Sequence, residues 1–371
     1  MIRNVSAFCL DIHARYQCGH AGACCQNWAV PVEPAVVEIV NARQLRRRGV
    51  SGALFVASTD PHETRDRIAR DDRGDCVFFD REAGRLCVIH RDAGVAALPS
   101  ACRHFPRKVL TDARGTLISL SHFCPTAAAL LLTSAPLATV HAEPPLRLTS
   151  PMEGLDASEA LPPLLRPGLL CDIDGYQAWE RAAIETFART DLTFDTCIDL
   201  VAAATEVIRD WRPGDGRLTE RVRAGFQSAR PGNASDGGSH SRAIETVAAL
   251  TAGSVGADFA PIESFDEKWR RHVGTPFEGF ERGMRNYLAA RLFANWIAYQ
   301  GRGLRSIVEW LRTCASVVRH QLLQRVLNTG TPADAGHFIE ALRSADLLLL
   351  HVVDSAAFAT HVATLEGPDP S

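Results

Sequence analysis

The sequence predicts an α+β protein that is mostly α: a small Cys-rich N-terminal part with short β-hairpins and a metal centre, followed by a helical C-terminal domain. Three observations carry this expectation. Eight of the 11 cysteines fall within residues 1–124, and only Cys171, Cys197 and Cys314 lie beyond. Short apolar runs alternate with turn residues through the first third of the chain. From residue 169 onward, apolar side chains recur at three- and four-residue intervals almost to the end. At roughly 100–200 residues per domain, the divisions are 1–142 for the cysteine-rich metal- or cluster-binding domain, 143–168 for a Pro-rich connection, and 169–371 for the helical domain.

Each element has its own signal. Pro34 opens a helix to Arg48, with Arg46, Arg47 and Arg48 in its last turn, where they complement the helix dipole, and Gly49 beyond. Cys76-Val-Phe-Phe79 and Leu86-Cys-Val-Ile-His90 read as strands flanking a turn at Asp80–Gly84. Lys108–Thr111 and Thr116–Leu120 form a second pair around Asp112–Gly115, and Leu98-Pro99-Ser100 marks a turn or helix entry before Cys102. Pro144, Pro145, Pro151, Pro162, Pro163 and Pro167 mark the connection. Helices are expected at Gly175–Arg189, Phe194–Trp211, Ala243–Gly253, Phe277–Gln300, Leu304–Leu327 and Ala333–Leu350; Gly283 sits inside the fourth and weakens the case for an unbroken helix there.

Apolar residues make up 46% and charged residues 22%, an ordinary globular profile. The net charge of −3, from 40 basic against 43 acidic residues, argues against a nucleic-acid binder. The longest apolar stretches, Ala127–Leu132 and Leu347–Val353, are far short of the roughly 20 residues of a membrane span. The first residues carry no apolar secretory core, so no membrane partner and a cytoplasmic location are expected. The basic set is 38 Arg and two Lys, Lys108 and Lys268, which we read as genomic base composition.

A cysteine cluster in a reducing compartment points to metal binding or catalysis rather than to disulfides. Cys18-Gly-His-Ala-Gly-Ala-Cys24-Cys25 places three sulfurs within eight residues, with glycines that let the backbone fold around an ion. Cys76 and Cys87 can approach across their hairpin, Cys102 follows a Pro-containing turn, and Cys124 precedes Pro125. These seven are the candidate metal ligands; Cys9, Cys171, Cys197 and Cys314 belong to the core, and His20, His90, His104 and His122 are candidate substitutes. Sulfur ligation selects zinc or iron–sulfur chemistry over hard cations. The absence of paired Cys-x-x-Cys motifs tilts the choice from structural zinc towards an iron–sulfur cluster.

The residues Tyr16-Gln-Cys18, Cys24-Cys25-Gln-Asn-Trp28, Asp75-Cys76-Val-Phe-Phe, Leu86-Cys87-Val-Ile-His90, Leu98-Pro-Ser-Ala-Cys102-Arg-His-Phe-Pro-Arg107 and Ser121-His-Phe-Cys124-Pro125 follow one another as in a known family. The chain resembles the cysteine-cluster, zinc- or iron-chelating proteins of the flagellin lysine-N-methylase type. The specific part of the resemblance covers about residues 16–130 and extends weakly around Tyr176–Arg189 and Asn286–Phe293. The family's first cluster carries one more cysteine before the pair than this chain has. The resemblance implies methyl transfer from S-adenosylmethionine to lysine side chains of a flagellin-like protein partner, with an iron–sulfur cluster in the enzyme.

Residue types alone assign no catalytic or donor-binding residue. Neither the glycine-rich fingerprint of a Rossmann-type methyltransferase nor the cysteine spacing of radical S-adenosylmethionine enzymes occurs. Tyr16 and Trp28 are candidates to face a cation, and Arg103 and Arg107 to bind the donor's carboxylate. Two other classes fit the sequence: a non-enzymatic zinc- or iron-binding protein acting in metal handling or as an interaction module, and a thiol redox sensor using Cys24 and Cys25.

Overall fold

The computed structural model describes residues 7–19, 21–22, 25–26, 30–58, 64–82, 86–142, 154–232, 238–252 and 259–365. His20, Cys24, Trp28, Gly84, Pro144, Pro145 and Pro151 lie outside them. The chain is an α+β protein, mostly α; of the described residues about 52% are helical and 12% lie in strands.

The strands are β1 (Ala7–Leu10), β2 (Phe55–Val56), β3 (Arg67–Ile68), β4 (Phe79–Asp80), β5 (Leu86–Cys87), β6 (Arg107–Asp112), β7 (Gly115–Leu120), β8 (Thr139–His141), β9 (Leu155–Asp156), β10 (Leu164–Arg166) and β11 (Leu169–Leu170). The first five helices, α1 (Asp11–Ala14), α2 (Pro34–Ala42), α3 (Val88–Ala93), α4 (Ser100–His104) and α5 (Pro125–Leu130), are short. The longer ones follow: α6 (Ile173–Ala188), α7 (Phe194–Arg209), α8 (Leu218–Ser228), α9 (Gly238–Thr251), α10 (Phe265–His272), α11 (Phe280–Leu292), α12 (Leu304–Thr329), α13 (Ala335–His351) and α14 (Ser355–Leu365).

A mixed five-stranded sheet, ordered β8-β1-β7-β6-β9, organises the N-terminal part. Its centre is the expected hairpin, paired from Arg107↔Leu120 to Asp112↔Gly115. The turn closes because the Asp112 carboxylate accepts from the Arg114 N–H at 2.9 Å, an Asx-type device. The Pro-rich connection is not structureless: Leu155–Asp156 adds an edge strand to β6, and β10 and β11 pair with each other.

Two sequence expectations are corrected. The helix opened by Pro34 ends at Ala42, six residues before Arg48, where the chain turns through Gln44 at φ 51°. Arg46 and Arg47 therefore tie loops rather than complement a helix dipole: Arg46 donates to the Val50 and Gly52 carbonyls, and Arg47 to the Asp71 carboxylate and the Phe79 carbonyl. In the first hairpin only Phe79–Asp80 and Leu86–Cys87 pair, and Val88, Ile89 and His90 begin α3. The reason is burial. Successive strand residues face opposite sides, whereas the helical turn lets Val88 and Ile89 both enter the core.

The helices expected from periodicity are present, with ends displaced by a few residues. The exception is Phe277–Gln300, which divides into α11 and a 3₁₀ turn at Trp296–Tyr299. Helices α8, α10 and α14 lie outside the segments that periodicity marks; on α10 only Phe265 is buried, which leaves little apolar period to read. Helix α11 is enclosed on nearly all sides, with eleven of its 13 residues buried. Its buried polar side chains reach carbonyls of distant segments: Arg285 donates to Leu192, Asn286 to Leu131 and Arg291 to Leu120, which leaves Arg291 Nε without a hydrogen-bond partner.

The largest hydrophobic core is continuous from the sheet into the helices, joining Leu10, Ile12, Leu110 and Leu117 to Tyr176, Trp179, Met284 and Leu288. A separate core of Val36, Val40, Ile68, Phe78, Phe79, Val88 and Ile89 underlies the cysteine segments. A third cluster, with Cys9, Tyr16, Leu120 and Cys124, lies along β1 and β7. Among the described residues no single helix is long and apolar enough to cross a membrane; the one pair that passes jointly, α13 with α14, bends by 87° between them.

Gly283, which weakened the helix reading, is a packing glycine. A Cβ there would lie 2.4 Å from Cε1 of Phe338 and 3.1 Å from Cδ2 of Leu132, and Phe338 is itself fully buried. Gly283→Ala should therefore destabilise by about 1–3 kcal/mol through overpacking, although the same change gains about 1 kcal/mol in an open helix; urea denaturation measures the sign.

Burial also sets an acid limit on the fold. It lowers His320 to about 4, and it lowers His240 to about 3 with help from Arg319 and His320. Both rings stay neutral in the native state while the unfolded chain takes up protons below its ordinary value of about 6.5. Stability should thus fall as pH drops from about 6.5 towards 4, by about 1.4 kcal/mol per pH unit for each histidine. Denaturant midpoints at pH 7 and pH 5 check this, and a double His240→Gln/His320→Gln variant should flatten the slope.

Candidate metal centre

Six of the seven candidate ligands, Cys18, Cys25, Cys76, Cys87, Cys102 and Cys124, line one cavity of about 260 Å³. The seventh, Cys24, lies outside the described residues. The cavity is walled by the second and third cores, with Val30, Ile68, Ile89, Leu98 and Phe105 supplying its apolar surface.

Each cysteine is delivered by different local structure. Cys25 and Cys76 are backbone neighbours, the Cys76 N–H donating to the Cys25 carbonyl at 2.8 Å. Asp75 anchors this junction: nearly fully buried, it takes a bidentate pair from Arg81, at 2.5 Å from Nε and 2.9 Å from Nη2, and a bond from Gln26 at 3.1 Å. Cys87 pairs with Phe79 in the short hairpin and is the N-cap of α3. Cys102 rides on α4, entered through Pro99 as the sequence predicts. Cys124 caps α5, whose Pro125 occupies the first turn.

The glycines of the first cysteine loop are needed where they stand. Gly22 has φ 75°, and a Cβ on it would sit 2.4 Å from the Phe79 ring; one on Gly19 would sit 2.9 Å from Thr126 Oγ1. The loop lies this close to the cavity wall because neither position carries a side chain.

The electrostatics fall into two groups. Arg70 lies in the field of Cys76, Cys25 and Cys102; burial pulls its guanidinium below the ordinary value, and the sulfurs and Asp75 oppose that pull. It also donates to the Cys25 carbonyl at 3.3 Å and the Gly74 carbonyl at 2.8 Å. On the other side, the Tyr16 hydroxyl is 3.7 Å from Cys124 Sγ, and Arg107 stands over the Tyr16 ring at 5.8 Å. Burial raises the Cys124 thiol, while the Ala127 amide, Tyr16 and the Thr126 amide act against it. A metal bound here would supply the charge that makes such a thiol a thiolate.

Among the described residues, no group of three or more His, Cys, Asp or Glu is gathered tightly enough to hold one metal ion. The cysteines surround a space rather than meet at a point. His90 lines that space, as do Arg103 and Arg107. His104 is buried with Nδ1 3.3 Å from Ser100 Oγ. His122 is not a cavity residue. The remaining cysteines are core thiols, as expected: burial raises Cys9 and Cys171 to about 12 and Cys197 to about 11, and Cys197 donates to the Thr186 carbonyl.

The sequence reading missed Arg70 and a buried network immediately upstream of Cys124. His122 donates its backbone N–H to Asp346 Oδ2 at 2.5 Å, with its Nδ1 3.1 Å from the same oxygen. Its Nε2 is 3.1 Å from His13 Nε2. Tyr287 donates to Asp346 Oδ1 at 2.8 Å, and Arg291 stands 3.5 Å from Oδ2. Burial holds His13 and His122 below the ordinary histidine value, whereas Asp346, though buried, is held below the carboxylate range by Arg291 and His122. The partners are 224 residues apart for His122 and Asp346, so no local pattern signals them.

If the cavity is the metal centre, Cys18→Ser and Cys124→Ser should each strip metal from anaerobically purified protein and lower its melting temperature, while Cys314→Ser retains it. Elemental analysis of the three variants decides, and equal metal content would contradict the assignment. Comparison with protein-family models, with curated proteins and with solved structures returned no match.

Proposed function

We propose that the cysteine-lined cavity holds an iron–sulfur cluster and that the protein transfers methyl groups from S-adenosylmethionine to lysine side chains of a flagellin-like protein. The observation that supports the first half is the cavity itself: cysteines from position 18 to position 124 line one space with room for a polynuclear centre. The second half rests on the resemblance to flagellin lysine-N-methylases.

The donor set fits such a cluster: thiols beside a half-buried arginine, on a loop that its glycines keep close. Such a cluster takes four thiolates, which would be drawn from Cys18, Cys24, Cys25, Cys76, Cys87, Cys102 and Cys124. When bound, an iron–sulfur cluster supplies one-electron redox chemistry whose potential follows burial and hydrogen bonding to sulfur. Arg70 offsets thiolate charge on the Cys76 side, and Tyr16 with the α5 amides does so at Cys124.

A lysine amine attacks only when neutral. Arg70, Arg103 and Arg107, together at or near the cavity wall, disfavour a protonated lysine brought among them. Arg103 and Arg107 also offer guanidinium forks to the carboxylate of the methyl donor.

The test is anaerobic reconstitution with iron and sulfide, followed by incubation with S-adenosylmethionine and purified flagellin. The expected result is stoichiometric iron and inorganic sulfide, and flagellin whose lysine peptides gain methyl increments in mass. A loaded cluster with flagellin of unchanged mass would replace the methyltransferase by a non-enzymatic metal-binding protein; zinc without sulfide would remove the cluster as well.

A further inference from the structure

Successive residues of a strand face opposite sides, and β6 carries a cation to each. Arg107 faces the cysteine cavity. Lys108, paired with Ser119 across the hairpin, lines a different cavity of about 210 Å³ together with Arg291, Trp296, Trp310 and Asp354. The Lys108 ammonium lies 4.1 Å from the centroid of the Trp296 ring, and the indole is held in turn by its N–H donating to the Val109 carbonyl at 3.2 Å. Among the described residues no acceptor is hydrogen-bonded to Lys108 Nζ. The neighbouring charges are already engaged: Arg291 by the Leu120 carbonyl and Asp346, and Asp354 by the Ala357 N–H at 2.7 Å.

The residue type is informative. This chain uses arginine at 38 of its 40 basic positions. Arginine binds anions better than lysine does but keeps its proton throughout the ordinary pH range. A half-buried lysine lining a cavity provides what arginine lacks, an amine that can lose its proton and attack. A lysine taken out of water and set beside a second cation is a recognised form of activated amine.

We propose that Lys108 is the nucleophile of a second site, separate from the cysteine cavity, which takes a small carbonyl compound bearing an acid group, such as a 2-oxo acid, as an imine. The Nζ lone pair attacks the carbonyl carbon, and the carbonyl π pair moves to oxygen, which takes up the proton released from nitrogen. The resulting carbinolamine expels that oxygen as water and leaves a C=N bond. No oxidant or reductant is involved. The Nη groups of Arg291 are taken by Leu120 and Asp346, but its Nε–H has no hydrogen-bond partner and is the donor left for the acid group, and the Trp296 and Trp310 rings flank the carbon chain. The cavity is smaller than the roughly 300–1,000 Å³ of drug-sized sites, so the occupant is small.

Charge surroundings agree with this role. Burial and Arg291 lower Lys108 to about 8, with Asp346 opposing, and His351, lowered to about 4 chiefly by burial, adds no charge at neutral pH. Against an ordinary lysine near 10.4, that is about a hundredfold more neutral amine at pH 7.5.

The experiment incubates the full-length protein with pyruvate, traps imines with sodium borohydride and maps the adduct by peptide mass spectrometry. Lys268, the other lysine of the chain, is the internal reference. Lys108 should be trapped at least tenfold faster than Lys268 at pH 7.5, with a rate that levels off above pH 8. Hydroxyacetone, neutral and of similar size, should be trapped at least tenfold more slowly than pyruvate. Lys108→Arg and Lys108→Met should lose the adduct while Lys268 labels as before. Equal trapping at the two lysines would overturn the assignment of the nucleophile, and equal trapping of pyruvate and hydroxyacetone would overturn the acid specificity.

Discussion

The buried carboxylate of Asp346 is the constraint on which the rest of the arrangement depends. It is wholly removed from solvent, and an isolated charge in that position costs several kcal/mol unless it is paired and hydrogen-bonded. Its partners come from three places: the backbone and ring of His122, the hydroxyl of Tyr287 and the guanidinium of Arg291. Satisfying this one group therefore fixes α13 and α11 against the segment that leads from β7 to Cys124. Removing either side of such a pair typically costs about 3–5 kcal/mol, because the charge left behind has no water.

The same junction stands between the two cavities. From Ser119 to Cys124 the chain runs from the Lys108 cavity, past the Arg291–Leu120 bond and the His122–Asp346 contact, to the cysteine cavity. A second buried ionic group acts similarly at the far end of the hairpin. Arg114 joins Asp112 to Glu180 of α6 at 2.7 Å each, and Tyr299 donates to Asp112. Both links tie the sheet to the helices through groups that tolerate no loss of partner, so the cysteine segments rest on a rigid support although much of their own backbone is loop.

The C-terminal helices were legible because a helix that packs on one face must repeat its apolar residues every three or four positions. The hairpin at Asp112–Gly115 was legible because its turn is made by its own residues. The first hairpin was not, since Val88 and Ile89 fit either pattern and only the presence of a core beneath them selects the helix. The end of α2 escaped for a related reason: Arg47 has acceptors at Asp71 and Phe79 that lie far away in sequence.

By itself the sequence determined the fold class, most of the helices and the residues around the candidate centre, because residue type and spacing carry that information: thiols in excess, glycines between them, prolines at helix entries. Tertiary structure decided where those residues stand. It gathered six cysteines around one cavity, set Arg70 among three of them, turned His122 away to meet Asp346, and set Lys108 over Trp296. These are contacts between residues distant in the chain, and their energy comes from burial, which no short stretch of sequence specifies.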